Sequence, residues 1–176
     1  PAPAAPTDRT GLIKTVFIGG VGQLYQGDLD VGRVIVERLA DEPLGPDVLV
    51  EDLFFGALAV CQRLQDLHPD VLILVGAAVR GLEPGQVVRR EIAPLELPLG
   101  DLQHAVGEAA TGYVSIDLVL EVATAFHALP ARTIVFEIEP RTTTPADTLS
   151  PEGDAAVSVA IDMIKLELRA LAPTPR

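Results

Sequence analysis

The sequence predicts a three-layer α/β sandwich with a mainly parallel central sheet of about five strands. Short runs of branched apolar residues alternate with segments of helical periodicity along the chain, the pattern of strands joined by crossover helices. The plainest run, Asp70-Val-Leu-Ile-Leu-Val-Gly76, is continuous rather than alternating, as a strand covered on both faces requires. Near the other end, Val157, Ile161, Ile164, Leu168 and Leu171 recur at spacings of 4, 3, 4 and 3, which describes a long amphipathic helix.

Taken in order, residues 1–11 are rich in Pro and Ala without periodicity and read as a mobile tail. A single domain follows over 12–172, and 173–176 read as a frayed end. Leu12 to Ile18 is expected as the first strand. Gly19, Gly20 and Gly22 then form a glycine-rich loop that carries Asp28 and Asp30 into a helix starting near Val31. Val31, Val34, Ile35 and Leu39 mark one face of that helix, and Glu42-Pro43 with Gly45-Pro46 stop it. Val48 to Val50 is a short second strand ending in Glu51-Asp52. Leu58, Cys61, Leu64 and Leu67 outline the next helix, closed at His68-Pro69.

After the strand at 70–76, Gly81-Leu-Glu-Pro-Gly85 makes a turn. Gln86 to Ile92 reads as an edge strand with Arg89, Arg90 and Glu91 facing outward. Ala93 to Thr111 is broken by proline and then weakly helical. Ile116, Val119, Leu120 and Ala123 give a further helix, Thr133 to Ile138 a strand, and Pro140 to Leu149 a polar loop. Ser150-Pro151-Glu152 opens the last helix with an N-cap serine and a proline at the first helical position.

The chain has 176 residues and a formal net charge of −12, which disfavours nucleic acid as a partner. No apolar run approaches the roughly 20 residues of a membrane span, and a cytoplasmic protein with no membrane partner is expected. A single cysteine, Cys61, rules out a disulfide framework within the chain and reads as a small core hydrophobe.

The glycine-rich stretch fails as a dinucleotide fingerprint, since Tyr25 stands where the third glycine belongs, and no phosphate-cradling loop ending in Lys-Ser/Thr occurs. Ser115 and Ser150 lack the context of a nucleophile elbow. His68 and His127 lie at helix ends, where the dipole accounts for them.

Phe17-Ile-Gly-Gly-Val-Gly-Gln-Leu-Tyr-Gln-Gly-Asp28 with Val31-Gly32-Arg33-Val34 resembles the opening of the NiFe-hydrogenase maturation endopeptidases, an apolar strand, G-x-G-N-x-L, then G-D-D/E-G-x-G-x-R. Glu51 to Gly56 lies where that family has D-G-G-T-x-G, and Leu72 to Ala77 where it has a strand ending in Asp-Ala. Leu82-Glu-Pro-Gly-Gln-Val87 is similar to its G-x-x-P-G-T-V turn. Glu137-Ile-Glu-Pro140 is similar to G-I-x-P, and Leu149-Ser-Pro-Glu152 to the start of its last helix.

The resemblance implies the family's α/β fold and an action on the hydrogenase large subunit, whose nickel is recognised before a C-terminal extension is removed. It places three nickel ligands: an acid after the first strand, an Asp ending the central strand and a His before a later helix. Carried onto this sequence they fall on Leu29, Gly76 and Gly112, none of which supplies a donor side chain. The expectation is therefore a binding cleft without the family's nickel-dependent proteolysis, with no cofactor of its own. The partner would be the large subunit or another maturation factor.

Two alternatives stay open. Asp28, Asp30, Glu51 and His104 are the side chains from which a relocated metal site could be rebuilt, giving an active endopeptidase that uses the partner subunit's nickel. On the other alternative the same loop serves a nucleotide or small-molecule binder. For Asp28 and Asp30 the competing role is helix capping.

Overall fold

Five strands, β1 (Val16–Val21), β2 (Val48–Asp52), β3 (Val71–Ala77), β4 (Val87–Ile92) and β5 (Arg132–Ile138), form one sheet in the order β2-β1-β3-β5-β4. The computed structural model describes residues 15–93, 99–110, 112 and 114–172. The expected tails, the proposed strand start at 12–14 and most of the proline-broken stretch after Ala93 lie outside the described residues. Pairings β1–β2, β1–β3 and β3–β5 are parallel; β4 alone runs antiparallel, against β5. The three-layer sandwich with a mainly parallel five-stranded sheet is thus as the sequence predicts.

Alternation within the strands sorts the core into two halves. Phe17, Leu72, Leu74 and Val135 point to one face, where α2 (Ala57–Leu67) and α4 (Ile116–Ala125) pack on them through Val60, Leu64, Val119 and Ala123. Ile18, Ile73, Val75 and Phe136 point to the other, under α1 (Val31–Ala40) and α5 (Pro151–Leu171) through Ile35, Leu39, Val157 and Ile164. α3 (Leu99–Ala109) packs chiefly against α4. Continuous apolar strands were the signal for burial on both faces, and β1 and β3 are buried along almost their whole length.

The caps follow their residues. Ser150 accepts a hydrogen bond from the Gly153 amide at 3.0 Å and Pro151 occupies the first turn of α5. Ser115 likewise accepts from the Leu118 amide at 3.2 Å at the start of α4.

One expectation changes. The first strand does not stop at Ile18 but continues through Gly19 and Gly20 to Val21, so two of the three loop glycines are strand residues. Their reason is packing. A Cβ on Gly19 would stand 2.3 Å from Leu53 Cδ1, and one on Gly20 would stand 2.3 Å from the Gly32 carbonyl oxygen and 2.6 Å from Val36 Cγ2. On the facing helix a Cβ at Gly32 would lie 2.2 Å from the Val21 carbonyl oxygen. Helix α1 can therefore sit directly on β1 only where both carry glycine.

Gly32→Ala must push backbone against backbone, and a loss of about 1–3 kcal/mol is expected by urea denaturation. Gly107 lies in α3 with nothing within 4 Å of the position a Cβ would take. Gly107→Ala should instead gain up to about 1 kcal/mol.

Candidate functional site

In the observed strand order the chain leaves β1 toward β2 on one side and β3 on the other, so the crevice beyond the carboxyl ends of β1 and β3 is the topological switch point. A cleft of about 220 Å³ opens there, bounded by Gly22 and Gln23 after β1, Ala77–Val79 after β3, Ser115–Asp117 at the start of α4, and Leu29. A second hollow of about 270 Å³ adjoins it, lined by Leu24, Phe54 and Gly112 and sharing Gly22, Gln23 and Val114 with the first. The Gln23 amide donates to the Val114 carbonyl at 2.8 Å and ties the two walls together.

Leu29 is half-buried and lines the cleft with aliphatic surface. Gly76, in β3, is paired in register with Val21. A Cβ at this position would meet the Val21 carbonyl oxygen at 2.6 Å and Ile116 Cδ1 at 3.4 Å, so a carboxylate side chain would require the end of β1 to move. Gly112 is exposed at the far edge with φ of +81°. The nickel-bearing substrate that the resemblance implies would find no donor side chain at these three positions, and the residues present do not fit it.

The four carboxylate and imidazole candidates are spread out. Asp28 is fully buried in the short 3-10 turn Gly27–Asp30 that leads into α1. Its carboxylate accepts from the Ser150 amide at 2.7 Å, the Ser150 hydroxyl at 2.7 Å and the Arg141 amide at 2.9 Å. It thereby pins the loop before α5 to the loop after β1. The same loops are laced by the Gly27 amide to the Ala146 carbonyl (2.9 Å) and the Ala146 amide to the Tyr25 carbonyl (3.1 Å).

Asp30 stands at the N-cap position of α1 without making the capping hydrogen bond. It is instead held by Arg33, whose Nε lies 2.8 Å from its Oδ2, and Arg33 also reaches Glu37 at 2.5 Å. Glu51 is paired with Arg63 on α2, Nε to Oε2 at 3.0 Å. His104 is 85% exposed on α3, with Glu108 at 4.0 Å. Among the described residues no three His, Cys, Asp or Glu side chains come together in a way that could hold a metal ion.

The strongest local electrostatics lie beside the cleft. Glu137 faces the α4 layer from β5 and is almost wholly buried. Burial pushes its carboxyl upward, but hydrogen bonds from Arg80 and Arg90 outweigh that and hold it below the usual range. Arg80 Nη2 donates to Glu137 Oε1 and to Asp117 Oδ1, both at 2.7 Å, and the Arg80 amide donates to Glu139 at 2.7 Å. The arginine thus locks the first turn of α4, and with it one wall of the cleft, to the central sheet.

Asp52, at the end of β2, behaves oppositely. Its Oδ1 is shut off from solvent with no hydrogen-bond partner, and burial pushes its carboxyl up to about 6 despite the nearby Arg33.

Several residues that shape the site escape the sequence reading. Gln23 and Arg80 act over 91 and 57 residues, to Val114 and Glu137, separations that no local pattern reveals. A compositional signal existed for the rim: of seven aromatic residues in the chain, Tyr25, Phe54 and Phe55 lie in the loops after β1 and β2.

No family model matches the chain, and no curated protein matches it by sequence. Solved structures do match it in shape. A hydrogenase 2 maturation peptidase from Thaumarchaeota archaeon SCGC_AB-539-E09 superposes with a TM-score of 0.62 at 24% identity, covering 90% of this chain and 99% of that one. The hydrogenase maturating endopeptidase HybD from E. coli gives 0.67 at 22% identity over 89% and 93%. A NiFe-hydrogenase maturation protease, HycI from Thermococcus kodakarensis, gives 0.64 at 19% over 92% and 96%. The chain therefore has the fold of the hydrogenase maturation endopeptidases, over nearly its whole length.

Two measurements test the carboxylate roles. Asp28→Ala leaves two amides and a hydroxyl without their acceptor and should cost about 2–3 kcal/mol in chemical denaturation. For Asp52 the folded carboxyl titrates near 6 and the unfolded one near 3.8. Between these values only the folded state keeps the proton, so Asp52 makes stability fall as pH rises through the window. Asp52→Asn should remove this contribution and raise the melting temperature more at pH 7.5 than at pH 4.

Proposed function

We propose that this protein belongs to the maturation apparatus of a NiFe hydrogenase. It receives the large subunit, or another maturation factor, at the cleft beyond β1 and β3, and does so without the nickel-dependent proteolysis of the enzymes it resembles. Its place of action on this reading is the cytoplasm; among the described residues no helix is long and apolar enough to cross a membrane.

The fold likeness to three maturation peptidases across about nine-tenths of the chain supports the connection to hydrogenases. The motif resemblance also supports it, because the G-x-G, P-G and S-P-E segments fall on the end of β1, the turn before β4 and the cap of α5.

The single observation that carries the non-cleaving part is the chemistry of the cleft. Leu29 supplies aliphatic surface, Gly76 has no room for a side chain, and Gly112 supplies only backbone. A carboxylate or imidazole is needed to complete a metal's coordination shell or to hold a metal-activated water. An endopeptidase built on relocated acids is less favoured, since Asp28, Asp30 and Glu51 already serve amides and arginines.

The test is to mix the protein with nickel-loaded large-subunit precursor and follow the precursor by intact mass and by gel filtration. Co-elution with the C-terminal extension retained is the expected result. Loss of the extension would overturn the non-cleaving reading, and absence of any complex with the precursor or with purified maturation factors would overturn the hydrogenase reading.

A further inference from the structure

The mouth of the cleft carries apolar surface that the fold does not use. Leu24 (48% exposed) and Phe54 (54% exposed) line the second hollow, and Val79 (62% exposed) lines the first. Phe55 stacks edge-on against Phe54 with ring centroids 5.7 Å apart. Tyr25, 70% exposed, sits at φ of +61°, a conformation unfavourable for an aromatic residue. Backbone bonds to Ala146 hold this strained tip in place, so its exposure is a built feature rather than a frayed end.

Because the two hollows share Gly22, Gln23 and Val114, they form one trough across the ends of β2, β1 and β3. Two adjoining hollows of about 220 and 270 Å³ suit an extended chain with a side chain set into each better than a single compact small molecule.

Charge narrows the occupant. The protein carries a net −12. Beside the trough, Arg80 and Arg33 are already committed to carboxylates, and among the described residues no Lys or Arg lines either hollow. An anionic lipid surface or an acidic peptide would meet only repulsion, whereas a basic segment would be drawn in.

We propose that Leu24, Tyr25, Phe54, Phe55 and Val79 form a docking surface for an extended, basic polypeptide segment that sets bulky aliphatic side chains into the two hollows. This deepens the reading that a polypeptide partner is received at the cleft, and adds the chemistry by which it is held. Aromatic side chains around an apolar slot are efficient anchors, since they bring large contact area with little rotamer freedom to lose.

The probes are three fluorescein-labelled twelve-residue peptides, alternating Lys with Leu, Lys with Ser, and Glu with Leu, followed by fluorescence anisotropy at 0.15 M salt. The Lys/Leu peptide should bind the full chain at least about tenfold more tightly than either of the others, and Phe54→Asp and Leu24→Asp should each weaken it by about tenfold or more. Both side chains are solvent-exposed, and an unchanged melting temperature verifies that each variant is folded. Phe126→Asp, at the C-terminal end of α4, removes an exposed aromatic outside both hollows and should leave binding unchanged.

Equal binding of the Lys/Ser peptide, an equal loss in Phe126→Asp, or tighter binding to phosphatidylglycerol vesicles than to the Lys/Leu peptide would each overturn the docking surface. Hydrogenase precursor bound equally by the native protein and Phe54→Asp would overturn it while leaving the hydrogenase reading intact. Peptide binding with the expected variant losses but no precursor binding would sustain the docking surface and remove only the hydrogenase assignment.

Discussion

The carbonyl oxygen of Val21 sits at the point where β1, β3 and α1 come nearest one another. It would lie 2.2 Å from a Cβ at Gly32 and 2.6 Å from one at Gly76, so both neighbours must be glycine for the three elements to meet as they do. Gly20 completes the contact from the strand side against Val36. This is a steric constraint on backbone, which cannot be relieved by a rotamer change. From it follow the approach of α1 to the sheet and the impossibility of fitting a carboxylate at the end of β3 without redrawing the end of β1.

The chemistry of the site follows the same logic of prior commitment. Acids are abundant near the cleft, yet Asp28 is consumed by two amides and a hydroxyl, Asp30 by Arg33, Glu51 by Arg63, and Asp117 and Glu137 by Arg80. For Asp28 and Glu137, which are buried, giving up these partners for a metal or a proton-transfer role would leave the bonded groups without acceptors. What the cleft still offers to a visitor is aliphatic wall, aromatic rim and a few backbone groups.

Much of the architecture was legible in the sequence because it is written in local patterns. The 70–76 run, the capped start at Ser150-Pro151 and the 4-3-4-3 repeat of α5 each need only a few neighbouring residues to be read. The end of β1 is not legible locally, because Gly19 and Gly20 signal a loop by propensity. The deciding fact is their contact with Leu53 and Gly32, which lies in the tertiary structure. A hollow does lie beside the glycine stretch and Leu29. The contacts that shape its walls were not legible, since Gln23, Arg80 and Asp28 act on partners 37 to 122 residues away. Asp30 shows the reverse case, a good capping residue that its i+3 arginine draws away from the helix amides.

The Asp28 clamp also sets an order of assembly. Its partner Ser150 lies 122 residues further along, at the head of the last helix. A nascent chain can pair β1 with β2 and β3 early, but the lip of the cleft stays unfastened until that final segment has been made and has docked. The loops after β1 and before α5 then take up their mutual position only once α5 has docked on the sheet.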